Sequence, residues 1–483
     1  MTKHIESVDV LIIGAGLAGI GGACQLRRQC PNHSFMILES RETSGGTWDL
    51  FRYPGFRSDS DMYTYSYGFK PWKDKSTIAD GHKILSYIRE AAAEYDVEKH
   101  IRYQHKVIAA NWSSSDKRWY VTAECGDGEQ VIVSCNFMFN CCGYYDYEQG
   151  YTPEFSGTDD FKGNLFHAQH WPEDLDYNGK RVVVVGSGAT AVTLIPAMAK
   201  DTARLTMLQR TPTYIANVPA EDPMALKLRK WLPGSVVFRL TRWKKVMFQI
   251  YTYHLSRKKP QQLRRFLLGQ VKKELGPDYD VKTHFTPPYN PWDQRLCAVP
   301  DGDMFKAIRE GQAEVVTDHI DTFNSEGIQL KSGKQLNADI VVLATGLNLK
   351  FAGGIVHRID DKEIDITEHF IYRGMMFSGM PNMAFTVGYT NSSWTLKTDL
   401  TSNYVCRLLK KMDRGNYAAV TPNLKGHVEE VPMLDFDAGY VLRARDQMPK
   451  NGDRLPWRNY QNYIRDFMGL RLGRVNDPEL EFS

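Results

Sequence analysis

The chain has 483 residues, too many for one ordinary core, and its 42% apolar and 12% aromatic content is that of a globular protein with two or three domains. A formal charge of +3 over that length gives no general case for nucleic acid, and none is expected as a partner. Eight cysteines without a C-x-x-C pair (Cys24, Cys30, Cys125, Cys135, Cys141, Cys142, Cys297, Cys406) form no disulfide or zinc framework. No metal is expected, and reduced thiols in a cytoplasmic protein are the simple reading. The first residues carry no export signal, and no apolar stretch reaches the length of a bilayer span.

Val8 to Ile13 is a short apolar run ending in glycine, as a buried parallel strand does. The turn Gly14-Ala-Gly16-Leu-Ala-Gly19 follows, then a predicted helix from Gly19 to Arg28 and a strand over 34–38. In this β-α-β unit Gly14 permits the tight turn, Gly16 lets backbone approach a pyrophosphate, and Gly19 lets helix and strand touch. The helix N-terminus offers free N–H groups to the phosphates. Glu39 ends the second strand about twenty residues on, where a carboxylate accepts hydrogen bonds from ribose hydroxyls.

Further on, Phe161-Lys-Gly163-Asn-Leu-Phe-His167-Ala-Gln-His-Trp171-Pro172 precedes a second Gly-rich turn, Gly186-Ser-Gly188-Ala-Thr190-Ala191. The same order recurs around it: strand over 181–185, helix from Ala189 to Lys200, strand over 205–208. Here the last strand runs into Gln209-Arg210-Thr211 rather than an acid. A carboxylate there repels the 2′-phosphate of NADP, whereas a guanidinium pairs with it and the Thr211 hydroxyl donates to it. The contrast between Glu39 and Arg210 predicts FAD in the first site and NADPH in the second.

Two nucleotide units in one chain point to two cofactors that exchange electrons. Apolar runs at 136–143 and 339–346 look like chain crossings, so the second unit is expected to be inserted into the first. The expected organisation is α/β: an FAD-binding, Rossmann-like domain from 1–145 and 377–483, and an NADP-binding one from 146–214 and 290–376. Residues 215–289 form a mainly helical insert. From Lys227 to Lys273 it carries many Lys and Arg, no acid, and interleaved aromatics such as Trp231, Trp243, Phe248 and Tyr251. Two readings stand: a helical insert with a solvated basic face, or a peripheral contact with an anionic membrane through 227–273.

The F-x-G-x-x-x-H-x-x-x-W-P pattern formed by Phe161, Gly163, His167, Trp171 and Pro172 resembles that of Baeyer–Villiger monooxygenases, a type of class B flavin monooxygenase. Gly45-Gly46-Thr47-Trp48 and residues 52–59 share that resemblance, which places Gly46, Thr47 and Trp48 at the flavin. Longer segments, 45–62, 290–297 and 387–397, resemble the ethionamide-activating monooxygenase group, and the likeness covers nearly the whole chain. In that family an arginine beside the flavin stabilises the anionic peroxyflavin and the tetrahedral adduct. Arg295 matches it, and Asp59 matches the aspartate that orients it. The chain departs at Gln294, where many relatives have a lysine that aids the 2′-phosphate. His167 is read as a structural hydrogen bonder that couples domain motion, and Trp171 as packing.

The resemblance implies an NADPH- and O₂-dependent enzyme that converts small apolar ketones to esters or lactones through a C4a-peroxyflavin, and sulfides to sulfoxides. Three alternatives remain: a flavin monooxygenase of soft S or N atoms, an FAD/NADPH reductase using a cysteine pair, and a non-enzymatic flavoprotein. Arg57, Asp59 and Asp61 also have a plainer reading as a solvated charged loop.

Overall fold

Two sheets organise the chain, and each grows from one of the Gly-rich turns. The computed structural model describes residues 5–294, 296–433 and 436–483. β1 (Glu6–Ile13) is buried on both faces from Val10 to Ile13, as its unbroken apolar run requires. α1 (Leu17–Gln29) follows, and β2 (Phe35–Leu38) pairs parallel with β1. On the other side of β1 lies the strand Gln130–Asn140, parallel to it and antiparallel to Arg118–Cys125.

The second sheet repeats this plan with β3 (Arg181–Val185), α2 (Ala189–Met198) and β4 (Arg204–Gln209). It has five parallel strands in the order Glu314–Thr317, β4, β3, Ile340–Leu343, Asn164–His167. Val182, Val184, Leu205 and Met207 point into a core shared with α2 and the helix Asp303–Arg309.

The chain leaves the first sheet through Tyr145–Gly150 and returns through Leu347–Leu349, and these two segments pair antiparallel. The return comes earlier than the expected position 377. Val356–Ile359 already pairs parallel with His105–Ser113, and Lys362–Ile364 extends the same sheet. These strands are three or four residues long and pair with a segment far away in sequence, so no local period marks them.

Between the parallel pair Tyr214–Val218 and Leu296–Pro300 lie the helices of the insert. The main ones are α3 (Gly234–Lys258) and α4 (Pro260–Leu275), and Pro260 at the first position of α4 ends the α3 hydrogen-bond ladder. A last long helix, α5 (Trp394–Gly415), packs against α1 and closes the first unit. Among the described residues no helix is long and apolar enough to cross a membrane.

The basic stretch is not wholly solvated. Acids from outside it reach in: Asp222 to Lys244 at 2.6 Å, Asp61 to Lys245 at 2.8 Å, and Asp399 to Arg242 at 3.2 Å. Arg242 is 9% exposed and also donates to the carbonyls of Tyr63 and Ser66, so it fastens α3 to the first unit.

Candidate active site

A single cavity of about 1360 Å³ runs from the first Gly-rich turn past the second to an aromatic wall on the insert. Gly14 has φ +96°, and a Cβ there would lie 2.9 Å from the Cys141 carbonyl oxygen. A Cβ on Gly19 would stand 1.8 Å from the Gly14 oxygen, so this glycine serves packing and lies off the cavity. Gly16 caps α1, whose first turn holds no acid, leaving the N-terminus open to phosphate. Glu39 is 5% exposed and accepts from the Ala15 and Arg41 N–H groups at 2.7 and 2.9 Å, which fixes its carboxylate on the cavity wall.

Gly46, at φ +56°, packs directly on Gly16 at the cavity wall: a Cβ there would lie 3.0 Å from the Gly16 Cα. Thr47 Oγ1 lies 2.9 Å from the Tyr147 hydroxyl, and Trp48 donates to Tyr65 while stacking on Phe56 at 4.9 Å. A path lined by glycine backbone, a helix N-terminus and a fixed carboxylate fits a dinucleotide such as FAD.

In the second turn Gly186 has φ +144°, and a Cβ would meet the Ala344 oxygen at 2.3 Å. Gly188 is different: a Cβ there meets nothing within 4 Å. The protein does not need this glycine for its own packing, so the free space suits a ligand. Thr190 lines the cavity, while Ala191 is buried and packs. Arg210 is exposed on the cavity wall and pairs with no carboxylate within 4.0 Å among the described residues; Thr211 sits beside it, held by Ser187. The residue types present fit NADPH.

A second cation at this end has no local sequence signal. Gln209 is opposite Thr317 in the parallel sheet, so the chain after Thr317 brings Asp318 and His319 alongside Arg210. The Lys331 N–H donates to the His319 carbonyl, and Lys331 lines the same cavity. A lysine thus stands near Arg210 although position 294 is Gln. Strand order, invisible to local sequence patterns, put it there.

Asp59 lines the cavity and accepts from Ser60 Oγ at 3.3 Å. Its expected partner, Arg295, lies outside the described residues. The loop around Asp59 is not merely solvated. Arg57 makes a two-pronged pair with Asp303 at 2.5 and 3.3 Å, and Asp61 caps a short helix while pairing with Lys245. Burial raises the Asp61 carboxyl above its ordinary range, with Lys245 and the Tyr63 N–H opposing.

None of Phe161, Gly163, His167, Trp171 and Pro172 lines the cavity. Phe161 packs on Phe323, a Cβ on Gly163 would meet the Asp339 oxygen at 2.3 Å, and Trp171 packs edge-on against Phe166. The Pro172 carbonyl accepts from Leu175 N–H. His167 Nε2 lies 3.0 Å from the Gly346 oxygen, its Nδ1 accepts from Gln169 N–H, and its ring presses on Gly150. Burial lowers its pKa, so the neutral ring is the stable form. It pins the two crossings together and stands away from the cavity.

Cys141 and Cys142 do line the cavity, yet both thiols are free. Burial pushes the Cys142 thiol up to about 12, which disfavours the thiolate that dithiol exchange needs.

Residues 57–412 match the family described as flavin-binding monooxygenase-like, and residues 12–74 match an NAD(P)-binding Rossmann-like domain. The chain is 52% identical over its full length to the FAD-containing monooxygenase EthA of Mycobacterium tuberculosis, covering 98% of that protein. Two solved structures share its fold. An oxidized steroid monooxygenase bound to NADP superposes with TM-score 0.75 at 20% identity over 99% of both chains. A cyclohexanone-bound cyclohexanone monooxygenase gives 0.72 at 19% identity over 87% of this chain and 89% of the other. These likenesses agree with the expected α/β fold, and the chain belongs to the flavin-binding monooxygenase-like family, as an FAD-containing monooxygenase of the EthA group.

Proposed function

We propose that this protein uses NADPH and O₂ to convert apolar ketones to esters or lactones and sulfides to sulfoxides. The observation that carries the reading is the continuity of one cavity past both nucleotide turns to a wall of Phe248, Leu263, Phe266, Leu267 and Trp292. The cyclohexanone bound by one structural relative and the NADP bound by another support the substrate class and the second cofactor. In this reading the first sheet holds FAD and the second holds NADPH. When bound, the flavin, reduced by NADPH, activates O₂ and supplies the oxygen atom.

The residues do the rest. Gly14, Gly16 and the α1 N-terminus hold the flavin diphosphate, and Glu39 accepts from its ribose. Gly186, Gly188 and the α2 N-terminus hold the nicotinamide diphosphate, and Arg210 with Thr211 holds the 2′-phosphate. The buried part of the apolar wall, Leu263 and Leu267, keeps water from the reacting oxygen and from the substrate. Arg295, by its match to the family, supplies a permanent cation that stabilises negative charge without giving up a proton, and Asp59 orients it.

The test is product analysis by mass spectrometry under ¹⁸O₂, with aliphatic ketones and aryl sulfides offered in parallel. One labelled oxygen in an ester is expected. Labelled sulfoxide with no ester from any ketone would assign the protein to soft-atom oxygenation instead.

A further inference from the structure

We propose that the outer face of α3 seats this protein on an anionic lipid surface, with the cavity mouth opening toward the lipid. Leu240, Trp243, Met247 and Tyr251 follow one another at helical spacing, and they are 49, 43, 51 and 63% exposed. The opposite side, with Val237, Phe238 and Val246, is buried. A helix packed on a globular core normally turns its large apolar side chains inward and its polar ones outward. Here both faces carry large apolar side chains, and the outer ones stay largely uncovered. Trp243 packs against Phe467 at 5.4 Å, and from that neighbouring segment Met468 and Leu472 also emerge, 56 and 60% exposed. The patch therefore spans two elements, beyond the scattered apolar residues of an ordinary surface.

Charge selects the occupant. Lys258 continues the α3 stripe, and Lys273 shares the outer face of α4 with Phe266. Neither lysine meets a carboxylate within 4.0 Å among the described residues, and the sequence from 227 to 273 holds no acid. Apolar side chains rimmed by free cations, with Trp and Tyr among them, match a bilayer of anionic headgroups. A second copy meeting this face across a two-fold axis would set the cations against themselves.

Phe248, next to Met247 on α3, and Phe266 on α4 are each 61% exposed and also line the cavity, so the cavity opens at the edge of this patch. A substrate dissolved in the lipid would enter without crossing water. This delivery role rests on the monooxygenase reading above; the docking does not.

The test is sedimentation of the flavin-loaded protein with phosphatidylglycerol/phosphatidylcholine vesicles and with pure phosphatidylcholine, at low and high salt. Binding is expected on the anionic vesicles at low salt and release at high salt. Each nearby basic residue contributes about a fivefold factor, so Lys258→Gln with Lys273→Gln is expected to weaken binding by roughly thirtyfold. Trp243→Glu with Met247→Glu is expected to abolish it, while NADPH oxidation with a short water-soluble ketone stays unchanged. No sedimentation at low salt, or equal binding by the Glu pair, would overturn the proposal. So would a dimer in light scattering that the Glu pair dissociates. Vesicle binding without ester formation would leave docking standing and remove the proposed chemistry.

Discussion

Arg210→Ala isolates the cofactor preference. The side chain is exposed and makes no ion pair with a described residue, so its removal breaks no contact the fold needs. In the proposed NADPH site, what is lost is a charge-assisted contact to the 2′-phosphate, worth about 1.5–3 kcal/mol, which corresponds to roughly ten- to a hundredfold in affinity. Lys331 lines the cavity at the same end and leaves part of the positive potential in place. The expected rise in KM for NADPH is therefore near the lower figure, about tenfold. NADH has no phosphate at that carbon, and its KM should stay within about twofold. Adding Lys331→Ala should cost more than the sum of the two single changes, because each cation covers for the other. Initial-rate kinetics with both cofactors and a thermal melt of each variant supply the data. An equal loss with NADH and NADPH would refute the assignment, as would a lowered melting temperature that explains the kinetics by unfolding.

Gly188→Ala should fold and retain flavin but raise KM for NADPH about tenfold, whereas Gly186→Ala should cost about 1–3 kcal/mol of stability. Equal melting temperatures for the two variants would contradict the geometry. Lys245→Met removes the ion-pair partner of Asp61, which keeps the Tyr63 N–H, while Asp222 keeps Lys244 and the Ala225 N–H; the expected cost is about 3 kcal/mol, read in a thermal melt monitored by flavin release. Burial lowers His357 to about 4, and the ring is 1% exposed. Its contribution is complete above the unfolded value near 6.5 and is lost as pH falls through the folded one, about 3 kcal/mol in all. Denaturation midpoints from pH 7.5 to 4.5 should fall less steeply in His357→Gln, and parallel curves would exclude this cause. Arg295→Ala should leave flavin reduction near normal and divert O₂ to hydrogen peroxide, with Asp59→Ala milder; ester formation at the normal rate in Arg295→Ala would place the active cation elsewhere.

The two nucleotide units are legible in the sequence because everything that defines them is local. A buried strand, a glycine turn and an acid or arginine at fixed distance all fall within about forty residues of each other. Glu39, Arg210 and the glycines can therefore be named from residue order alone. Lys331 cannot, since only the parallel placement of Glu314–Thr317 beside β4 brings it to Arg210. The same limit applies to charge. The run from 227 to 273 reads as uniformly basic, but Asp61 and Asp399 come from distant segments, Asp222 from just before the run, and together they neutralise part of it. His167 shows a further limit: it stands in a conspicuous motif, yet its contacts are with Gly150 and Gly346 rather than with the cavity.

The adjacent crossings have a consequence for how the chain folds as it is made. Synthesis normally lets the N-terminal unit finish first. Here the strands of the second sheet, residues 164–343, are complete before Val356–Ile359, Met383–Phe385 and α5 have been made. β1, β2 and α1 must wait, half covered, while the inserted unit folds. The apolar surface of α1 that α5 later covers is the stretch most open to aggregation during that interval. Truncation before residue 394 should yield a folded nicotinamide unit joined to an insoluble N-terminal one.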